Sequence, residues 1–517
     1  MQAPKMALLR LLVTLLFVPF LFSSTVSSYS LSDIKKWCSQ TPNPKPCEYY
    51  LSNNAFNKHI KNKSDFLKVS LQLALDQAQK GQETIQSLGP KWKNSQERAA
   101  WANCLELSEN TIQMLNKTID PNTKFTQFDA QIWLSTALTN LETCKDGFND
   151  IGVSDYVLPL LSSNVTKLIS NTLSLNKVPY RQQSYKDGFP TWVKPIDGKL
   201  LGSSYAFALA NVVVAKDGSG KYTTVKEAVD CAPQSSDERY VIYVKEGTYD
   251  EQFVIKAKNI MLVGDGIGKT IITGCKSVVG GSTTIDSATV GVDAYGFMAQ
   301  YITFRNTAGA ASNQSVALRS NSDHSVFYQC GFESYQDTLW VQTGRQFYRE
   351  CDIYGTVDFI FGDAAAVFQN CNIYARNGPQ NTVTVTAQGR TDPNEASGII
   401  ISNSKITGAP DFNSNSVKSY LGRPWKEYSK TVVMQTFIDS FINPEGWLEW
   451  DGNFALDTLC YAEYANTGPG SSTENRVKWK GYEVITDASQ AEQFTVGMFI
   501  DGNSWLPATG VPFTSGL

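Results

Sequence analysis

The stretch YQDTLWVQTGRQFYRECDIYGTVDFIFGD, Tyr335–Asp363, holds Asp337 and Asp358, 21 residues apart and each among apolar and aromatic neighbours. An isolated carboxylate in such company costs free energy unless something satisfies it. On either side, β-branched and aromatic runs alternate with turns marked by Gly and Asn. A short pattern recurs along them, ending in Phe332, Ile353 and Ile373 at steps of 21 and 20, then in Ile406 and Ile438 after longer loops. Repetition at this period predicts stacked coils, a parallel β-helix. A sandwich of short strands is the alternative, but it does not explain why matched residues recur at coil length. Gln314, Gln336 and Asp358 follow one another at steps of 22. Coils of about 20 to 22 residues stack these positions, with strands roughly 4.8 Å apart. Asp337 and Asp358 then face each other across one rung, with two amides close by.

Two carboxylates at that distance cannot both ionise cheaply, so one becomes an acid and the other a nucleophile or base. Spacing alone does not name the reaction, since carboxylates roughly 5 Å apart also suit a retaining glycosidase. Histidine cannot supply the chemistry widely: the chain has only His59 and His324. A Ser-His-Asp triad or a multi-histidine metal site has little to work with. His324 reads as a coil residue.

The 517 residues exceed one ordinary core and predict two domains. A formal net charge of −4 gives no electrostatic case for nucleic acid. At the N-terminus, Lys5 and Arg10 precede an apolar run that ends in small residues near Ser24 to Ser28. This is the pattern of a secretory signal, residues 1–28, and the short run with Pro19 disfavours a membrane anchor. Export makes disulfides the default for the ten cysteines, none of which forms a CxxC pair. Asn62, Asn116, Asn164 and Asn313 lie in glycosylation sequons.

Residues 29–178 carry a helical period. Leu67, Leu71, Ala74 and Ala78 mark one face, and two later segments repeat the style. Three or four such helices make an antiparallel bundle. Cys38 and Cys47 flank a proline-rich turn that they could staple, and Cys104 and Cys144 lie on separate helices that they could cross-link. Proline, glycine and polar residues break the period over a linker, 179–205, before the strand-rich residues 206–517.

GTYDE (Gly247–Glu251), SYQDTL (Ser334–Leu339), GTVDFIFG (Gly355–Gly362) and LGRPW (Leu421–Trp425) resemble the four signature blocks of plant pectin methylesterases. CSQTPNPKPC, NCLELSENTI and WLSTALTNLETCKDGF resemble the inhibitor domain that precedes many of these enzymes as a pro-region. The resemblance implies an all-α four-helix bundle followed by a right-handed parallel β-helix. It implies hydrolysis of galacturonate methyl esters in pectin, with Asp358 as nucleophile and Asp337 as general acid, then base. Gln336 matches an oxyanion-stabilising amide and Gln314 a second amide that binds substrate there. Arg423 matches the residue that holds the nucleophile, Trp425 a sugar-binding aromatic, and Thr284 a substrate-contact threonine. Trp340 and Phe361 are expected as cleft aromatics. The family also pairs cysteines like Cys351 and Cys371, with Cys330 an alternative partner for Cys351. No metal and no organic cofactor is implied. Expected partners are methylesterified homogalacturonan, proteinaceous esterase inhibitors and a processing protease, for a secreted monomer of the cell wall with no membrane contact after signal cleavage.

Three departures from the family pattern carry expectations. DGKLL (Asp197–Leu201) has Gly198 where a dibasic processing site has its first basic residue, which predicts slow or absent cleavage. The Asn313 sequon adjoins Gln314. Asp363 stands where asparagine is commoner, five residues from Asp358, and is expected to shift the pH optimum.

Overall fold

The computed structural model describes residues 31–52, 60–89, 92–153, 163–177 and 208–517. The expected signal segment, the linker and DGKLL lie outside these residues. The described part of the first half is helical: α1 (Leu31–Cys38), α2 (Pro44–Ser52), α3 (Lys63–Leu88), α4 (Ser95–Ile119), α5 (Gln127–Asn149) and α6 (Ser163–Leu175).

Local chemistry sets the helix starts. Asn62 and Asn94 accept from backbone N–H groups three residues on, at Asp65 and Glu97. Thr126 and Asp129 form a reciprocal capping box at the head of α5. Helices α3 to α6 bury Leu71, Ala74 and Ala78 against Leu115, Ala137, Leu138, Ile169 and Leu173. Leu67, expected on the same face, is only half-buried at its edge. Cys38–Cys47 staples α1 to α2 and packs on Phe66 and Leu175. Cys104–Cys144 joins α4 to α5 with a Cα separation of 4.6 Å. Both bridges are the ones expected.

From Val212 the chain winds into three parallel sheets of eleven, seven and eight strands. Sheet neighbours are mostly three strands apart in sequence, so each coil gives one strand to each sheet. Phe304, Phe332, Ile353, Ile373, Ile406 and Ile438 pair in register as one continuous interior row. A second row stacks Phe327, Tyr348 and Phe368 with ring centroids 4.7 and 4.5 Å apart. The corners recur as well: Gln329, Glu350, Asn370, Asn403 and Gln435 each turn the chain at a left-handed φ of 48° to 57°. The C-terminal helices Val496–Phe499 and Gly502–Thr509 cover the eleven-stranded sheet with Phe499, Trp505 and Leu506. Among the described residues, no helix is long and apolar enough to cross a membrane.

The expected Cys351–Cys371 bridge is not formed. Cys330, Cys351 and Cys371 are buried free thiols on consecutive coils. Cys351 has a sulfur neighbour on either side, so no single pair is singled out. Each thiol instead donates to a carbonyl, at 3.5 Å to Tyr328, 3.4 Å to Phe327 and 3.5 Å to Tyr348, respectively. They fill the core as small apolar side chains.

Candidate active site

The seven-stranded sheet presents the site. Leu318 pairs with Leu339, and Leu339 with Ile360, at steps of 21. Asp337 and Asp358 each lie two residues before these matched positions, so they stand on adjacent rungs. Gln336 is offset by one residue. The backbone N–H of Asp337 donates to Val357 O at 3.1 Å, and that of Ser315 to Gln336 O at 3.2 Å. The 22-residue step therefore overshoots the coil, and the two amides flank the carboxylate pair rather than stack with it. Both aspartates occupy the left-handed region, with φ of 61° and 52°. Aspartate tolerates that conformation better than most residues, and such backbone is concentrated at functional sites.

The two carboxyl groups have opposite surroundings. Asp358 accepts from Arg423 Nε at 2.8 Å and Nη2 at 2.6 Å, and from Thr384 Oγ1 at 2.6 Å. Three donors, two of them from one guanidinium, suit an ionised carboxylate. Asp337 is buried, and that burial, followed by the charge of Asp358, pushes its carboxyl well above the ordinary range, with Arg423 opposing. Asp337 is thus the member of the pair whose neutral form is favoured.

Gln314, Gln336, Asp337, Asp358, Arg423, Trp425 and Thr284 all line one cavity of about 290 Å³. Its floor is aromatic. Trp340 stacks on Phe361 at 5.0 Å, and Phe361 meets Trp425 edge-on at 6.0 Å. Gly389 lets Trp425 lie close, because a Cβ there would come within 2.8 Å of the indole. Arg423 is itself sandwiched, with its guanidinium 4.3 Å from the centroid of Trp450. Asp363 is not in the cavity. It accepts from Gln388 and Ser397 of the β-helix and from Thr139 of α5. Its proximity in sequence to Asp358 is lost because the strand Ile360–Gly362 runs between them and sets them at its opposite ends.

Thr384, Trp450 and Lys426 escaped the sequence reading. Thr384 is the rung neighbour of Asp358, since Ile360 pairs with Thr386. The intervening coil is longer than 21 residues, so the spacing rule passes over it.

The cavity has a second wall. Asn103 and the Cys104–Cys144 bridge from α4 and α5 line it, as do Thr143, Asp146 and Asp150. Asn103 donates to Thr283 at 3.0 Å, and Lys426 pairs with Asp146 at 2.7 Å. Farther out, Asp129 pairs with the fully buried Arg345 at 2.8 Å, and Gln131 donates to Asn394 O at 2.6 Å. The helical half lies across the cleft.

Comparison with known proteins agrees with this division. The pectinesterase family matches residues 211–503, and the plant invertase/pectin methylesterase inhibitor family matches residues 32–175. "Pectinesterase 2" of Citrus sinensis is 62% identical over 98% of this chain and 100% of its own length. "Probable pectinesterase/pectinesterase inhibitor 17" of Arabidopsis thaliana is 58% identical over 99% and 100%. The solved structure "Pectin methylesterase from Carrot" is 56% identical and covers 60% of this chain and 98% of its own, with a TM-score of 0.59. Residues 208–517 make up that same share of this chain. A carboxylate pair on a parallel β-helix, joined to an inhibitor-type helical bundle along nearly the whole length of close relatives, places this chain in the pectinesterase family as a pectin methylesterase, a carboxylic ester hydrolase with an inhibitor-like N-terminal domain.

Proposed function

We propose that Asp358 attacks the carbonyl carbon of a galacturonate methyl ester in methylesterified homogalacturonan. The observation that carries this reading is the asymmetry of the rung: an arginine-clamped carboxylate beside a protonated one. The tetrahedral oxyanion accepts hydrogen bonds from the side-chain amides of Gln336 and Gln314. Donors of this kind are worth roughly 2.7–4 kcal/mol each in acyl transfer. Asp337 gives its proton to the departing methoxy oxygen, and methanol leaves an Asp358 acyl anhydride. Asp337, now ionised, takes a proton from water as that water attacks the acyl carbon. The bond to Asp358 breaks, Asp358 leaves as its carboxylate, and the galacturonic acid so formed loses its proton to solvent, which returns both aspartates to their starting states. Arg423 and Thr384 hold Asp358, while Trp425 and Thr284 bind the sugar chain. No step calls for a metal or an organic cofactor.

The helical half closes the cleft it spans, so the two-domain chain is the silent form. Release follows cutting in the linker by a processing protease or local undocking, and proteinaceous esterase inhibitors cover the same cleft afterwards. The leader, two disulfides and four sequons support export to the cell wall. Asn62, Asn116 and Asn313 are exposed, and Asn164 is half-buried against Tyr50.

Methanol release from methylated pectin tests both statements. Residues 208–517 are active, the full chain is much slower, and Asp358→Ala in the β-helix loses at least about a thousandfold in kcat. Activity surviving in a folded Asp358→Ala variant overturns the assignment. Equal rates for the full chain and the β-helix overturn the closed cleft.

A further inference from the structure

The two carboxyl groups of the rung are aimed in different ways. Asp358 is held at its carboxylate, by Arg423 and Thr384. Asp337 is not: among the described residues none donates a hydrogen bond to its carboxyl. Its direction is therefore set by its backbone, in a left-handed conformation that persists only where neighbouring contacts enforce it. The segment that carries it, Ser334–Thr338, links strand Gly331–Glu333 to strand Leu339–Thr343. Thr356 N donates to Tyr335 O at 2.9 Å, and Thr338 Oγ1 to Tyr354 O at 2.8 Å.

Arg376 adds a further restraint from a third coil. It follows strand Asn372–Ala375, and Glu333, Tyr354 and Tyr374 pair in register, so Arg376 stands two rungs beyond Tyr335. Its backbone N–H donates to Gly355 O at 2.9 Å, three residues before Asp358. Its side chain reaches past that coil, and Nη1 donates to Ser334 O at 2.7 Å, three residues before Asp337. Nη2 donates to Tyr335 Oη at 3.0 Å, and the guanidinium lies 4.0 Å from the centroid of the Tyr335 ring. One residue thus grips both catalytic segments at matched positions. A planar fork suits this task, since lysine offers a point charge and cannot hold a carbonyl, a hydroxyl and a ring together. Neither Arg376 nor Tyr335 lines the cavity. We propose that Arg376, through the Ser334 carbonyl and Tyr335, is a positioning residue that fixes Asp337 and Gln336 relative to Asp358. The inference rests on the reading of Asp337 as the general acid.

The test compares kcat, KM and the pH profile of Arg376→Met with those of wild type, in the full chain and in residues 208–517. Arg376→Met lowers kcat about tenfold and leaves KM within about twofold, because the reacting groups are misplaced while the sugar contacts stay. The alkaline limb of kcat/KM, along which the acid loses its proton, moves to lower pH. Burial and the charge of Asp358 hold the Asp337 carboxyl up, Arg423 opposes them, and Asp150 of the helical half adds to them in the two-domain chain. A loosened segment admits water and lessens the burial, so the carboxyl falls toward its ordinary value. Mere loss of a positive charge would move the limb to higher pH instead. Arg376→Lys recovers part of kcat. Tyr335→Phe keeps the ring, loses one hydrogen bond and shifts the limb less in the same direction; it carries the test where Arg376→Met does not fold. An unmoved or raised alkaline limb in a folded variant overturns the proposal, as does a kcat that falls only in step with a rise in KM. Asp337→Asn is run alongside: activity surviving there condemns the acid itself, whereas an unmoved limb in Arg376→Met beside an inactive Asp337→Asn condemns only the positioning role.

Discussion

The interior of the coils is held together by different physics than the surface where the two halves meet around the cleft. Rows of Phe, Tyr and Ile fill the inside of the coils with no residue of the helical half among them, whereas the Leu and Ala between the helices run on as one apolar cluster into the outer face of the eleven-stranded sheet and the C-terminal helices. Around the cleft the halves also meet through individually separable polar contacts, Asp129 to Arg345, Thr139 to Asp363, Asn103 to Thr283 and Asp146 to Lys426, beside Ile285 packed on the Cys104–Cys144 cluster. A core built from dispersion and hydrophobic burial fails cooperatively, whereas hydrogen-bonded contacts at a solvent boundary can be exchanged for water. The difference teaches that the coil interior does not depend on the helical half, which contributes no side chain to it.

The strongest challenge to that division is a defect in the coil core. Tyr348 is fully buried between Phe327 and Phe368, and its hydroxyl donates to Gln346 at 2.7 Å. Tyr348→Ala should cost about 3–5 kcal/mol of β-helix stability in a denaturant titration of residues 208–517. A loss below about 1 kcal/mol would mean that the stacked row is not what holds the coils.

A smaller effect is expected at the interface. Arg345 is fully buried and paired to Asp323 within the β-helix and to Asp129 across the boundary. Asp129→Ala removes the cross-boundary partner together with the capping box at the head of α5, and should weaken docking by about 1.5–3 kcal/mol. Faster methanol release from the full chain would register it, with the stability of residues 208–517 untouched. No change in rate would show that this ion pair does not help to hold the helical half closed.

The smallest effect is a dependence on pH. Glu395 lies under α5, beside Asp363 and Asp392, with Thr139 in reach at 3.5 Å. Burial, then the charge of Asp363, pushes its carboxyl well above the ordinary value of 4.5. The docked state therefore favours neutral Glu395. The stability this adds to the folded chain, relative to the unfolded one, is fully present below that ordinary value and falls as pH rises through the raised one. Hydrogen exchange across Ser135 to Thr139 in the full chain, corrected for intrinsic rate, should show protection declining over this window. Glu395→Gln should flatten the trend, and an unaltered slope in that variant would exclude Glu395 as its source.

Much of the β-helix was legible because its contacts repeat. Rung partners recur near 21 residues, so Phe332, Ile353 and Ile373 could be aligned before any coordinates, and Asp337 could be set against Asp358. Longer coils hid Thr384, whose partnership with Asp358 follows no constant step. The cysteine row marks another limit, since three sulfurs on consecutive rungs offer two equivalent pairings and the packed core takes neither.

By itself, the sequence determined the helical and coiled halves, the Cys38–Cys47 and Cys104–Cys144 bridges, and the residues that meet in the cleft, because each rests on short-range periodicity, on capping chemistry or on family motifs. The tertiary structure alone decided what faces that cleft. It moved Asp363 out of the site to the underside of α5, and it brought Asp146 to Lys426 across 280 residues of chain. Contacts between the two halves have no period to read: they are set by which apolar and polar surfaces are complementary once helices and coils have formed.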